Sequence, residues 1–497
     1  MSFEEVQTPK RAALFFVLCL GAALAVYGPF LRRDFTYDDL LVVRDNAFIE
    51  HPSNLARLHG NDYLSAAGEQ TYRPVVTACY IVEHLLYGKR AAFFSFTGVL
   101  LHACSAWMLG LLLVRWKPHA RAPAVLASLF YVAHPALVEA VISPGNREET
   151  LSVALMLASA LAWRRGRDRI RAATAGSIGL YVLALHTMEW SAALPVILAA
   201  WLWIGGASLR EAFRSVRSHA AVAAAFLAMY FTVYPHAHVD TEWLGGGPAG
   251  GLLAFGRLFW SYVRLAILPV ALRPHYVYVE PALAVRALGT AAMIAVGAVT
   301  VAGLVRRRPW SFGLLIFGLG LAPVSHIVMP FWMPMAERYL ALPMIGGAPL
   351  MAAALWKLER KPATVFTALI LLCFATLTAA RAYDWKNGLH LWGDAVERQP
   401  EDPVAWSNFA ASLTWAGRAD EAARGHEIAF RLADKQGTAN GHQAINLARA
   451  LVAADRRHEA CRFLAYHGDR FRHEREYVAA AIVFCRDQLA SGPAENE

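Results

Sequence analysis

The first apolar run of the chain and the acids that follow it read AALFFVLCLGAALAVYGPFLRRDFTYDD over residues 12–39. The run can cross a hydrocarbon core of about 30 Å as a single helix. No small-residue cleavage site precedes Arg32 and Arg33, so the run is predicted to be an anchor and not a cleaved signal. Asp38 and Asp39 then lie where the chain leaves the membrane. Acids at this position favour a functional site, although acids in a loop near water are often merely solvated.

The composition places the rest of the chain in the same class of protein. Of its 497 residues, 57% are hydrophobic and only 17% are charged, and the mean hydropathy is +0.35. Apolar runs of about 20 residues, the length of a spanning helix, recur as far as Arg381 and then stop. The basic residues behind the net charge of +9 cluster in short loops and form no stripe with aromatics, so no nucleic-acid partner is expected. The sequence predicts an all-α polytopic membrane protein.

Lysines and arginines in the short loops assign each loop to a side of the membrane, because cytoplasmic loops carry an excess of them. Lys10 and Arg11 place the N-terminus inside, so Asp38 and Asp39 fall outside, and the arginine-rich loop at 164–171 is again inside. Continued along the chain, this alternation predicts about eleven spans.

One apolar segment cannot cross the membrane if the loops alternate between its two sides. Both flanks of residues 251–280 are assigned to the outside, so the apolar piece at 258–269 is predicted to be a re-entrant or interfacial helix, interrupted by Pro269 and Pro274. The predicted membrane domain comprises residues 1–381.

The tail repeats itself at an offset of 38 residues. The matching positions are Asn408 with Asn446, Ala410 with Ala448, Leu413 with Leu451, Arg418 with Arg456, and Glu421 and Ala422 with Glu459 and Ala460. Small residues and a leucine at helical spacing before a turn resemble the tetratricopeptide pattern of about 34 residues. Residues 382–497 are therefore predicted to be a small extracytoplasmic helical domain, either a peptide groove or a cap on the membrane domain.

The six cysteines include no Cys-x-x-Cys pair and no metal-ligand spacing. Cys461 and Cys485 can pair only if the tail is extracytoplasmic, and no disulfide framework is predicted.

Many polar residues of the predicted outer loops share one side of the membrane, and at least half of them are expected to be solvated bystanders. His102 differs because it lies inside an apolar span. A histidine in that position most often donates a hydrogen bond to a neighbouring helix, and a ligand or catalytic role is the less frequent alternative.

Six short motifs occur in order along the chain. They are FTYDD at 35–39 with DN at 45–46, YRP at 72–74, LLHA at 100–103, AHP at 133–135 with VEA at 138–140, NRE at 146–148, and AERYL at 336–340. Together they resemble the transmembrane and tetratricopeptide repeat O-mannosyltransferases and their bacterial relatives in the GT-C glycosyltransferase superfamily. The chain departs from that pattern in carrying Met188-Glu189 where such proteins usually have a Lys-Glu pair, and in its short repeat tail.

The resemblance implies transfer of a sugar, with a mannose-like hexose favoured, from a polyprenyl-phosphate carrier to an extracytoplasmic acceptor, with inversion at the anomeric carbon. A base must take the acceptor proton, and Asp38 is the candidate, with Asp39 orienting the acceptor or Asp38 itself. Arg338, Arg73 and Arg147 are the candidates for holding the donor phosphate, because a guanidinium can bind two phosphate oxygens. Their alternative is ordinary loop charge.

Further residues are expected to bind substrate or shape the site. They are His102, His134, Glu139, Glu148, Glu189, Tyr276 and Glu337. An apolar groove beside the re-entrant segment is expected to receive the isoprenoid tail.

No cofactor is expected. His134 with Glu139, and His236 with His238, lack the compact ligand sets of transition metals, although a divalent ion between Asp38 and a donor phosphate is an open alternative.

The expected partners are a polyprenyl-phosphate-linked sugar, membrane lipids, and a protein Ser/Thr hydroxyl or a glycolipid that the repeats contact. A bacterial inner membrane with a periplasmic site and tail is the expected location. The alternatives are a transporter or flippase of lipid-linked substrates, whose charges would be expected nearer the midplane, and a non-catalytic scaffold that presents the repeats.

Overall fold

The computed structural model describes residues 9–60, 63, 71–117, 119–166, 171–233, 243–327, 330, 333–357 and 361–490. Within these ranges the secondary structure is helical and contains no strand, which confirms the predicted all-α polytopic bundle. The chain divides into two compact units. The first contains residues 1–272 and 278–385, and the second contains residues 273–277 and 386–497.

The helices of the first unit follow one another with short turns. They are α1 (Pro9–Tyr27), α2 (Pro74–Tyr87), α3 (Ala91–Trp116), α4 (Arg121–Val132), α5 (Val138–Ile142), α6 (Arg147–Gly166), α7 (Arg171–Leu185), α8 (Leu194–Ile204), α9 (Leu209–Val233), α10 (Pro248–Ile267), α11 (Leu283–Val305), α12 (Pro309–Leu321), α13 (Pro343–Trp356) and α14 (Lys361–Asp384). Short 3-10 turns at Pro144–Asn146, Glu189–Ala193 and Glu337–Leu340 separate some of them.

Five of the described helices are long and apolar enough to cross a membrane: α1, α3, α9, α11 and the apolar part of α14. A sixth crossing is available if α4 and the helical segment Pro135–Ile142, which includes α5, form one span bent by 55°. The protein is therefore an integral, multi-pass membrane protein. The other predicted spans fall on shorter helices or on helices with charged ends, so the count of eleven stays a prediction.

Helix α3 contacts α1, α4, α5 and α6 in the first unit. Small residues permit these contacts, because they let two backbones approach closely. A Cβ atom at Gly98 would lie only 2.0 Å from the carbonyl oxygen of Val141 in α5. The close approach of α3 and α5 fixes the position of the loop that precedes α6.

The bend at residues 133–135 has a local cause. Pro135 has no N–H to donate, and its ring disfavours a helical conformation at His134. The chain therefore leaves α4 after Val132 and starts again through Pro135–Leu137 into α5. This break directs Glu139 away from the axis of α4.

The segment expected to be re-entrant is more regular than predicted. Helix α10 begins at Pro248 and runs without interruption to Ile267, and the expected breaks at Pro269 and Pro274 fall in the irregular chain that follows it. A helix of 20 residues is about 30 Å long. Whether α10 lies at the interface stays a prediction.

The second unit is built from helix pairs that share the offset found in the sequence. It contains α15 (Gly388–Arg398), α16 (Pro403–Trp415), α17 (Ala419–Lys435), α18 (Gly441–Ala453), α19 (Arg457–Tyr466), α20 (Gly468–Phe471) and α21 (Arg475–Ala490). Helices α16 and α18 begin 38 positions apart, and so do α17 and α19. The ion pairs Arg418–Glu421 and Arg456–Glu459 recur in the same register. The assignment of 382–497 as a repeat domain stays a prediction.

A disulfide between Cys461 and Cys485 joins α19 to α21, with 5.6 Å between the two Cα atoms. The sequence predicted no disulfide framework but left the pairing of these two cysteines open, and the structure forms this one bond. The packing of α21 on α19 brings the two thiols together.

Candidate active site

Asp39 is a fully buried carboxylate with every acceptor position in use. One oxygen accepts from Arg33 Nη2 at 2.6 Å and from the Thr36 backbone N–H at 3.1 Å. The other accepts from Ser143 Oγ at 2.6 Å and from the Gly145 N–H at 2.8 Å. These four donors, one of them the Arg33 guanidinium, occupy the acceptor positions that a substrate proton would need. Asp39 ties the segment after α1 to the loop before α6.

Asp38 contrasts with its neighbour. Asp38 is half-buried and makes no hydrogen bond or ion pair with a described residue. The pKa of Asp38 is raised to about 7: desolvation is the largest cause, Arg338 opposes it, and Asp39 and Glu139 add to it. A carboxyl that is free and has a pKa near neutrality can act as a general base.

The backbone around Asp38 is constrained. Tyr37 has φ +56°, a left-handed conformation that bulky residues rarely adopt. Gly145 packs directly on the acids, since a Cβ atom there would lie 2.9 Å from both the Asp38 Cβ and the Asp39 backbone nitrogen. Asp38 is therefore held in place from both sides.

Arg338 lies opposite Asp38 on the 3-10 turn Glu337–Leu340 and is almost fully buried. Its guanidinium pairs with Glu139 from α5, and its backbone N–H donates to the same carboxylate at 3.2 Å. It also lies 5.1 Å from the centre of the Tyr339 ring and within electrostatic reach of Asp38. The surrounding acids raise the pKa of Arg338 above its ordinary value, so it stays charged.

Arg73 precedes α2 and pairs with Glu148 in the first turn of α6. Glu189 lies within its electrostatic reach. The Arg73 Nε–H is buried and donates to no described residue. Since Glu148 also lies within electrostatic reach of Asp38, the two arginine pairs and Asp38 belong to one cluster.

Glu149 belongs to this cluster, and sequence reasoning missed it. It is fully buried, neither carboxyl oxygen has a hydrogen-bond partner among the described residues, and its field reaches both Arg73 and Arg338. Burial raises the pKa of Glu149 well above its ordinary value. The one available signal was the pair of adjacent acids at 148–149, which is equally typical of a helix N-terminus.

Two predicted site residues, Arg147 and Glu337, are instead held by contacts within the protein. Arg147 donates to Glu83 at 2.7 Å and to the Phe94 carbonyl. Glu337 accepts from Arg381 of α14, with the closest contact at 3.2 Å.

His102 also makes its contacts within the protein, between helices. Its Nε2 is 3.3 Å from the Val132 carbonyl, and its ring contacts Tyr27 and Tyr131. This arrangement matches the interhelical hydrogen bond that the sequence favoured for a histidine inside a span.

His134 lies at the break between α4 and α5. Its Nε2 donates to the Ala266 carbonyl of α10 at 3.0 Å, while its Nδ1 is buried without a partner in the described structure. It thus joins the bend to α10. Tyr276 belongs to the second unit, where the neighbouring His275 contacts Asp402.

No group of three or more potential metal ligands occurs within the described residues. His236 and His238 lie outside those residues. Glu139 and Glu148 of the cluster are paired with arginines, as is Asp39, whereas, among the described residues, Asp38 and Glu149 are not.

An apolar cavity lies between α10, α11, α12 and α13, beside the segment from which the sequence predicted a lipid groove. Its volume is about 940 Å³, and its lining includes Phe255, Phe259, Ala266, Met293, Phe317 and Gly347. A second apolar cavity of about 430 Å³ lies between α3, α4, α6, α8, α12 and α13, and extends from Leu342 to Lys117. Either can accommodate a hydrocarbon chain.

No known family model matches the chain. The chain is 21% identical to protein O-mannosyl-transferase TMTC3 of Mus musculus, over 80% of its own length and 48% of that protein. It is 25% identical to TMTC1 of Mus musculus, over 31% of its length and 17% of that protein, and 25% identical to Tmtc1 of Drosophila melanogaster, over 30% and 18%. The chain thus spans about half the length of the TMTC3 relative. These similarities confirm the resemblance in the motifs: most of the chain is similar to proteins named protein O-mannosyl-transferases.

Proposed function

We propose that the protein transfers a sugar, with mannose favoured, from a polyprenyl-phosphate carrier to a hydroxyl of a protein Ser or Thr. The observation that carries this function is the contrast between Asp38, which is half-buried and has no hydrogen-bond partner among the described residues, and the two arginine pairs of its cluster, Arg338 with Glu139 and Arg73 with Glu148. A base next to phosphate-binding cations is what transfer from a phosphate leaving group requires. The names of the relatives support the same reaction class.

The reaction balances without a further reactant. The acceptor oxygen forms a bond to the anomeric carbon as its proton passes to Asp38, and the bond from that carbon to the phosphate oxygen breaks. Polyprenyl phosphate leaves with the electrons of that bond. A single displacement of this kind inverts the anomeric carbon, and no metal is needed if the arginines stabilise the departing charge.

Arg338 and Arg73 would bind the phosphate by exchanging part of their contact with Glu139 and Glu148 for phosphate oxygens. The cavity between α10 and α13 is the path favoured for the isoprenoid tail, because it lies next to α10, whose Ala266 contacts His134. Arg147 is not retained in a phosphate-binding role, because its guanidinium donates to Glu83 and to the Phe94 carbonyl and it is not among the groups that act on Asp38 or Glu149.

An extracytoplasmic position for the site and the C-terminal unit, periplasmic in a bacterium, agrees with the loop charges. The Cys461–Cys485 disulfide supports it independently, because such bonds persist in oxidising compartments. The repeat unit would then lie on the side where the acceptor protein is found.

The test uses the purified full-length protein, a panel of undecaprenyl-phosphate sugars and a mixture of acceptor proteins. We expect free undecaprenyl phosphate to be released only when acceptor is present, with labelled sugar appearing on protein. The variant Asp38→Asn should abolish both signals, and chelation of divalent ions should abolish neither. If no donor is consumed, or if Asp38→Asn releases undecaprenyl phosphate as the wild type does, the assignment of Asp38 as the base is wrong. The transporter or scaffold function would then be favoured.

A further inference from the structure

Glu149 is the group in the cluster that the proposed reaction leaves without a role. It is fully buried at the start of α6, next to Glu148, which pairs with Arg73. Both of its carboxyl oxygens lack a hydrogen-bond partner in the described part of the chain. An unpartnered buried carboxyl costs stability, so its presence calls for a compensating gain elsewhere.

A second unmet group lies within its reach. The Nε–H of Arg73 is also buried and has no acceptor among the described residues, although Arg73 and Glu149 interact electrostatically. These two groups do not bond to each other. An oxygen-rich ligand that accepts from both would satisfy them together, and a phosphate oxygen is such an acceptor.

Burial first, and then the charges around it, decide the ionisation state of Glu149. Groups from every neighbouring element face it: Glu148 on α6, Arg73 before α2, Tyr131 on α4, Glu139 on α5, and Arg338 and Tyr339 on the 3-10 turn. Glu139 and Glu148 already balance Arg338 and Arg73, and ionised Asp38 adds one uncompensated negative charge. A further charge on Glu149 would increase the repulsion of an anionic donor, whereas a neutral carboxylic acid would not.

We propose that Glu149 is an uncharged carboxylic acid that donates a hydrogen bond to the phosphate of the donor, between Arg73 and Arg338. It thereby completes the phosphate site without adding negative charge. This role rests on the proposed function for the identity of the ligand. The geometry itself requires only a phosphate that enters the cluster.

The test measures binding of mannosyl-phosphoryl-undecaprenol to the full chain in an Asp38→Asn background. That background prevents turnover and removes the titration of Asp38, and the phosphodiester keeps one charge throughout the pH range used. Glu149→Gln keeps a hydrogen-bond donor without a charge, Glu149→Leu removes both, and Glu83→Gln removes a buried carboxyl away from the cluster.

We expect Glu149→Leu to weaken binding about tenfold, the effect of losing one hydrogen bond to a charged group. Its unfolding temperature should not fall, because the substitution removes a buried polar group that lacks a partner. Glu149→Gln and Glu83→Gln should bind within about twofold of the parent. With intact Glu149, affinity should fall as alkaline pH ionises the acid, and in Glu149→Gln this fall should be absent.

Equal affinity of Glu149→Leu and its parent would overturn the role of Glu149, and so would an equal loss in Glu149→Gln. The proposed function fails separately. If the wild type transfers no sugar but the Asp38→Asn protein binds the phosphodiester in a Glu149-dependent way, the phosphate site stands and the transferase does not. If transfer occurs and Glu149 has no effect on binding, only the role of Glu149 is lost.

Discussion

The buried charges of the first unit fall into two regions that differ in how completely they are matched. In the first region, around Asp39, Arg147 and Glu337, each charged group has an opposite charge within 3.2 Å. In the second region, around Asp38 and Glu149, two carboxyls and an arginine N–H have no hydrogen-bond partner among the described residues. A network in which each charge is paired stabilises the fold. Buried polar groups without a hydrogen-bond partner destabilise it, so they mark a place where a ligand is expected.

The largest effect should come from Asp38→Asn, which removes the free base. We expect the transfer rate to fall by about 10²- to 10⁴-fold, because general base catalysis contributes that much. Stability should be kept or increased, since no hydrogen bond from a described residue is lost. If thermal unfolding in detergent shows that this variant has lost its fold, Asp38 belongs to the matched region and the division into two regions is wrong.

Asp39→Asn, unlike Asp38→Asn, should destabilise the fold. It leaves Arg33 buried without a counter-charge. It also replaces one of the two oxygens, each of which accepts two hydrogen bonds, with an NH2 group that cannot accept. We expect a loss of about 3–5 kcal/mol in unfolding free energy, the usual result of breaking a buried ion pair. Normal stability in this variant, measured in the same unfolding assay, would contradict the division into two regions.

Arg147→Met tests a residue that sequence analysis placed in the phosphate site. We expect about 3 kcal/mol of destabilisation, because Glu83 would remain buried without its partner. The affinity of the folded fraction for undecaprenyl phosphate should be unchanged. Loss of affinity without loss of stability would show that Arg147 binds the phosphate.

The sequence located the acids and arginines of the cluster but not their pairing. The FTYDD and AERYL motifs contain Asp38 and Arg338, and the fold brings the two within electrostatic reach of each other. Arg338 pairs with Glu139 from 199 residues away, and Arg147 with Glu83 from 64. No local pattern reveals which arginine is neutralised within the fold and which faces an open group.

Helical structure, by contrast, follows local patterns. The 38-residue offset predicted the spacing of the tail helices, and the apolar runs predicted the membrane helices. The sequence left the Cys461–Cys485 pairing open, because it depends on how α21 packs against α19.

Gly145→Ala probes the same comparison without removing a charge. The added Cβ must displace the backbone at Asp38 and Asp39, since it would lie 2.9 Å from atoms of both. We expect the transfer rate to fall about tenfold, because small displacements of a reacting group are costly. Gly179→Ala on α7 is the matched control, since a Cβ there meets nothing within 4 Å. Equal rates in the two variants would show that the position of Asp38 is not critical.

The smallest effect is the dependence of the wild-type rate on pH. Asp38 must be ionised to accept a proton, and desolvation holds its pKa at about 7, so the rate should rise about fivefold between pH 6 and pH 7 and then level off. The folding stability should change with pH in the opposite direction to the rate. Because the folded-state pKa lies above the unfolded value, unfolding releases a proton between the two, and the contribution of Asp38 to stability is lost as pH rises through about 7. The wild type should therefore lose stability relative to Asp38→Asn over this range while it gains activity. Parallel changes in rate and stability would instead point to a group whose pKa is lowered on folding, and Asp38 would not be the base.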